Sequence, residues 1–146
     1  MRRQLGCKSS NRALLLFLSL ALLSACEPEP PLLRDSTLPG RWYTQQQVDA
    51  GAEVFSRHCA SCHGDEAQGL TANWKQRLPD GSLPPPPLNG SAHGWHHPLS
   101  VLDQVISAGG IPLGGKMPAF AKVLSEQERR QAVAYFQSFW SKQVYG

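Results

Sequence analysis

Three stretches of the chain repeat their apolar positions at helical spacing. In the first, Val48, Ala52 and Phe55 recur on one face. Thr44, followed three residues later by Gln47, has the form that closes a helix N-terminus through reciprocal hydrogen bonds. In the second, Leu99, Leu102, Val105 and Ile106 share a side. Pro98 suits the first turn, where its missing N–H is no loss, and Gly109-Gly110 ends the run. The third opens on Ser125 and Glu128, again in capping relation, and presents Ala132, Val133, Phe136, Phe139 and Trp140. Between the first two lies a loop-rich stretch, Gly64 to Pro85, with Trp74, Asp80-Gly81 and the start of a four-proline run. No segment alternates with a period of two, and there is no internal repeat. The pattern predicts an all-α domain in which much of the interior is supplied by something other than side chains.

The start of the chain has a different character. Ala13 to Leu23 is apolar except for Ser19 and follows Arg2, Arg3, Lys8 and Arg12. Such a run matches the core of an export signal and falls short of the roughly 20 apolar residues that span a bilayer. Leu23-Ser24-Ala25-Cys26 resembles the bacterial lipobox, whose cysteine is acylated. The expected organisation is a signal peptide over 1–25, a lipidated Cys26 with a Pro-rich tether over 26–41, and a folded domain over 42–146. This places the protein on the periplasmic side of a bacterial membrane, anchored through Cys26 or, without the lipid, soluble in the periplasm. A Pro-rich tether extends by roughly 3.1 Å per residue, giving the domain reach across the membrane surface.

Processing changes the charge. The full chain has 14 Lys and Arg against 11 Asp and Glu. The signal carries four of the basic residues and no acids, so the mature chain holds ten against eleven, a net charge of −1. The basic excess belongs to the signal, so it gives no support to nucleic-acid binding, and no nucleic-acid partner is expected.

Of the four cysteines, Cys7 leaves with the signal and Cys26 takes the lipid, so Cys59 and Cys62 remain. With His63 they form C-x-x-C-H, and that spacing puts both thiols on one face of a helical turn. There they can add to the two vinyl groups of one haem, with the next imidazole under the iron. A structural zinc site would need a second ligand pair, and the cysteines are exhausted. A thioredoxin-like pair would follow a strand, whereas a helix leads in here. Once Met1 is removed, Met117 is the sole thioether. It lies in the glycine-rich run Gly109 to Phe120, which can bend tightly against a flat ring, and is the expected sixth ligand.

The chain resembles a class I cytochrome c over roughly 48–144. Gly51 and Phe55 stand where that family places the glycine and aromatic of its N-terminal helix, and Tyr135 resembles the aromatic of the C-terminal helix crossing it. Pro86-Pro87-Leu88-Asn89-Gly90 is similar to the family's P-x-L-x-G turn, and Met117-Pro118-Ala119-Phe120 to its ligand loop. The resemblance implies a cytochrome c fold of three to five short helices wrapped around one covalently bound haem c. It implies cofactor contacts from Cys59, Cys62, His63, Met117 and Pro86, with His63 and Met117 on the iron. The carbonyl of Pro86 would accept a hydrogen bond from the second ring nitrogen of His63. The implied activity is not enzymatic: single electrons pass between redox proteins, a respiratory complex or a periplasmic oxidoreductase. A haem-based gas sensor and a docked subunit of an oxidoreductase complex are the alternatives.

Two stretches depart from the family pattern. The segment between His63 and Pro86 is longer than in the mitochondrial type. Ala92-His93-Gly94-Trp95-His96-His97-Pro98 has no general counterpart; its Trp95 fits either a haem propionate contact or the core. Its histidines, without a nearby carboxylate, read as surface or capping residues before metal ligands. His58 reads as a solvent-facing helix residue.

Overall fold

The computed structural model describes residues 36–145. The segments expected to be a signal peptide, a lipidated Cys26 and a tether, up to residue 35, lie outside the described residues. Five α-helical segments follow in order: α1 Gln45–His58, α2 Ala60–His63, α3 Leu99–Ala108, α4 Glu126–Ser138 and α5 Lys142–Tyr145. Single 3-10 turns occur at Gly94–His96 and Ile111–Leu113. Among the described residues no strand forms beyond one bridge, Thr37 to Thr44.

Both predicted capping boxes are present. Thr44 Oγ1 accepts from Gln47 N–H at 3.2 Å while Gln47 Oε1 accepts from Thr44 N–H at 2.9 Å. Ser125 and Glu128 repeat the exchange at the start of α4, at 3.2 and 2.8 Å. Pro98 stands one position earlier than expected: it is the N-cap of α3, with extended ψ of 157°, and its carbonyl accepts from Val101 and Leu102. Gly109, at φ +80°, ends that helix.

The third predicted run continues too far. α4 stops at Ser138, whose hydroxyl donates to the Tyr135 carbonyl at 2.7 Å. Phe139 then caps the helix with its ring exposed, and Trp140 follows in a tightened turn, its N–H on the Gln137 carbonyl at 3.0 Å. That turn swings the indole into the core, where Nε1 donates to the Leu88 carbonyl at 2.7 Å.

The core gathers around the crossing of α1 and α4. Phe55, Ala67, Leu102, Ile106, Val133, Phe136 and Trp140 form one buried cluster, and Val54, Leu124 and Ala132 a smaller one. Val54 escapes the spacing pattern, which favoured the half-buried Ala52. The helices meet at Gly51, where a Cβ would lie 2.0 Å from the Gln131 carbonyl oxygen. Phe55 and Tyr135 pack beside this contact with ring centroids 5.1 Å apart. Arg129 ties the helical layer together, its guanidinium on Asp103 of α3 at 2.8 Å and on the Leu124 carbonyl at 3.0 Å.

The end of the Pro-rich stretch is packed against the domain. Arg41 N–H bonds the Leu38 carbonyl, closing a turn over Pro39-Gly40. The Arg41 guanidinium donates to the Trp140 carbonyl at 2.9 Å and lies 3.8 Å over the Tyr145 ring. Trp42 Nε1 donates to Gln137 at 2.7 Å. Beneath this strap Tyr43 is fully buried, its hydroxyl without a partner among the described residues.

Two measurements check this packing. Overfilling a tight contact costs about 1–3 kcal/mol, so Gly51→Ala should lower the unfolding free energy of the haem-loaded protein by about 2 kcal/mol in urea. An unchanged midpoint would show that α1 and α4 do not meet at this glycine. Burial pushes the Tyr43 phenol up to about 12. An unfolded tyrosine ionises near pH ~10, so from there upward the unfolded chain sheds a proton that the folded one keeps. The stability associated with this group is intact below that pH and is lost on approaching pH 12, by up to about 1.4 kcal/mol per unit. Denaturant titrations at rising pH should show this loss, and Tyr43→Phe should flatten it.

Candidate haem site

α1 runs directly into the cysteine motif. Cys59 breaks the helix at φ −122°, and its carbonyl accepts from both Cys62 N–H at 3.0 Å and His63 N–H at 2.9 Å. One tight turn thereby presents Cys59, Cys62 and His63 together, and Gly64, at φ +76°, ends it. Both thiols are free, Cys59 half-buried and Cys62 exposed. Burial, and secondarily the neighbouring Cys62, pushes the Cys59 thiol up to about 11.

His63 is buried, and its Nδ1 lies 2.9 Å from the Pro86 carbonyl. A carbonyl only accepts, so Nδ1 carries the proton and the neutral ring keeps its lone pair on Nε2. Burial lowers the imidazole pKa, opposed by the bond to Pro86. A lone pair on Nε2 and two thiols on the same turn make a donor set that fits a covalently attached haem.

What aims the Pro86 carbonyl is a network with no local signal in the sequence. Ala67 is buried in the left-handed region at φ +56°. Its carbonyl accepts from Leu88 N–H at 2.7 Å and Asn89 N–H at 3.1 Å, and Gly69 N–H returns to the His63 carbonyl. Tyr135 Oη holds the Asp65 carbonyl at 2.8 Å, and Trp140 Nε1 holds that of Leu88. Thus α4 and its extension grip both sides of the loop that carries the bond to His63.

Met117 lies in the loop that follows α3. Gly110 N–H bonds the Met117 carbonyl at 2.9 Å, while Phe120 and Ala121 N–H groups bond the Ile106 and Ser107 carbonyls at the end of α3. The side chain is half-buried and packs, as Cys59 does, against the larger core cluster. Leu88, Leu99 and Phe120 are likewise partly buried against that cluster.

Trp95 is not a core residue: it stands half-exposed on the 3-10 turn, where a three-residue segment lacks the buried face a helix would offer. His93 stacks on Trp74 at 5.4 Å, and His96 and His97 rings lie 4.3 Å apart. Among the described residues no group of three His, Cys, Asp or Glu side chains is arranged to hold a metal ion. His58 is half-buried, edge-on to Phe120.

The strand-free helical fold and the histidine seated beside two free thiols are those of a class I c-type cytochrome, an electron-transport protein with one covalently bound haem c. The chain belongs to the family described as cytochrome c oxidase, cbb3-type, subunit III, whose pattern it matches over residues 46–136. It is similar to the cytochrome c subunit of alcohol dehydrogenase (quinone) from Gluconobacter oxydans (strain 621H), 29% identical over 107 residues, covering 68% of this chain and 20% of that protein. It is also similar to the cbb3-type cytochrome c oxidase subunit FixP of Sinorhizobium medicae (strain WSM419), 32% identical over 97 residues, covering 64% of this chain and 30% of that protein. The chain thus spans less than a third of the length of either relative. No solved structure matches it.

The glycines around Met117 offer a controlled comparison. A Cβ on Gly109 would lie 2.7 Å from the Met117 carbonyl oxygen, whereas one on Gly114, at a similar positive φ, meets nothing within 4 Å. Gly114→Ala should cost only the left-handed backbone penalty of about 1–2 kcal/mol, and Gly109→Ala about 2 kcal/mol more, from overpacking. Urea unfolding of the haem-loaded variants measures both, and equal losses would refute the contact.

Proposed function

We propose that this chain is a lipid-anchored single-electron carrier on the periplasmic side of a bacterial membrane. In this reading Cys59 and Cys62 hold the haem, His63 and Met117 are its axial ligands, and Pro86 orients His63. The observation that carries the reading is the 2.9 Å bond from buried His63 Nδ1 to the Pro86 carbonyl, which leaves Nε2 as the donor. Haem, when bound, supplies one reversible electron couple at its iron.

The rest is the work of the chain. Pro86 holds the tautomer and the plane of the imidazole, so no ring rotation accompanies a change of charge. The thioether of Met117 is a soft donor that favours the reduced state and raises the potential. The apolar core cluster against which Cys59 and Met117 both pack would disfavour additional positive charge in the same sense. With His63 and Met117 both holding a bound haem iron, no position would be left there for a substrate, and the protein would carry electrons without catalysing a reaction of its own.

Its partners are redox proteins, a respiratory complex or a periplasmic oxidoreductase. The names of the two relatives, each a subunit, favour a second form of the same reading, in which the domain docks within an oxidoreductase assembly. Cys26 provides the membrane attachment, and nucleic acid plays no part.

An optical spectrum of the haem-loaded protein in both oxidation states, with carbon monoxide added to the reduced sample, tests the assignment. The ferric form should show the weak thioether-to-iron charge-transfer band, and carbon monoxide should leave the reduced spectrum unchanged. Met117→Ala should abolish the band, admit carbon monoxide and lower the potential. A wild-type protein that lacks the band and binds carbon monoxide readily would overturn the carrier reading in favour of a gas-binding one.

A further inference from the structure

Lys116, the neighbour of Met117, is joined to Asp80 by an ion pair across 36 residues of chain. The Asp80 carboxylate does not reach out at random. It sits at the tip of a turn closed by Leu78 N–H on the Ser82 carbonyl and Gly81 N–H on the Leu78 carbonyl, both at 2.8 Å. Ser82 aims it, with its backbone N–H at 3.0 Å and its hydroxyl at 2.6 Å on one carboxylate oxygen, leaving the other for Lys116. These bonds, that of Lys116 foremost, hold the carboxyl well below the usual carboxylate range.

The loop that Lys116 belongs to needs such a partner. Its backbone bonds, Leu113 and Gly115 N–H to the Gly110 carbonyl and Gly114 N–H to that of Ile111, close the loop only on itself. Ile111 and Leu113 project into solvent. The Met117 carbonyl accepts from Gly110 N–H at the base of the loop, and beyond it the chain is fastened to α3 by backbone bonds at Phe120 and Ala121. Among the described residues, two other ion pairs run along single helices and a third joins α3 to α4; the Asp80 pair is the one that reaches this loop.

We propose that Asp80 is a positioning residue for the axial methionine. Through Lys116 it holds the 110–117 loop to the 78–82 turn and sets how readily Met117 leaves the iron. The long segment after His63, which departs from the mitochondrial pattern, then has a use: it delivers an anchor to the ligand loop. The proposal rests on Met117 ligation as read above. Both side chains are more than half exposed, and an exposed pair shifts an equilibrium by a factor of up to about five at low salt. Salt screens it on the scale of a Debye length, about 10 Å at 0.1 M.

The test is an imidazole titration of the ferric haem-loaded protein, following loss of the thioether-to-iron band. At low salt Asp80→Asn and Lys116→Gln should each raise the apparent imidazole affinity about two- to fivefold. The double variant should add nothing beyond either single one. Added salt should bring the wild type to the value of Asp80→Asn and leave that variant unmoved. Amide exchange at Gly115 should quicken in Asp80→Asn, a readout that involves no ligand. A wild type showing the band but sharing its imidazole affinity with Asp80→Asn at low salt would overturn the role of Asp80 alone. A wild type without the band would overturn Met117 ligation and this proposal with it.

Discussion

The bond from His63 to the Pro86 carbonyl is the constraint around which the domain is arranged. A buried imidazole must satisfy its N–H, and a proline carbonyl can only accept, so the pair fixes which nitrogen carries the proton and which faces the opposite way. A carbonyl 23 residues from the histidine is useful only if something holds it there. Much of the surrounding loop structure serves that end.

The holding is done by α4 and the residues beyond it. Tyr135 takes the Asp65 carbonyl just after the histidine turn, and Trp140 takes that of Leu88 just after Pro86. Both depend on where α4 lies, and this is set by its crossing with α1 at Gly51, where no side chain larger than hydrogen fits. The same α1 runs into Cys59 and the short α2 that ends on His63. Helix crossing, loop clamp and imidazole orientation are therefore one mechanical unit, with Ala67 as the buried joint between its parts.

The Met117 side is built differently. Backbone bonds to α3 fix the chain at Phe120 and Ala121, while the glycine-rich loop before Met117 has few ties beyond itself. The partly buried Arg129–Asp103 pair braces α3 against α4. A pair so shielded from solvent is less sensitive to salt than the exposed pair of Lys116 and Asp80.

What the sequence by itself determined is local. The two capping boxes were legible because their partners lie three residues apart, and the C-x-x-C-H turn because its chemistry requires adjacent residues. Met117 was singled out as a candidate by elimination, and the placements of Gly51, Phe55, Tyr135 and Pro86 were legible through resemblance to a known fold. Tertiary structure decided the rest. Apolar spacing continued α4 through Trp140, but a serine hydroxyl and a turn ended the helix first and sent the indole inward. Nothing near Ala67 announced a left-handed alanine, a conformation that side chains adopt only when the surroundings compel it. Val54, the α5 segment and the Asp80–Lys116 pair were equally silent, because each is defined by a surface or a partner distant along the chain. Local hydrogen bonds and covalent spacing can be read from neighbours; burial and long-range pairing exist only once the chain has closed on itself.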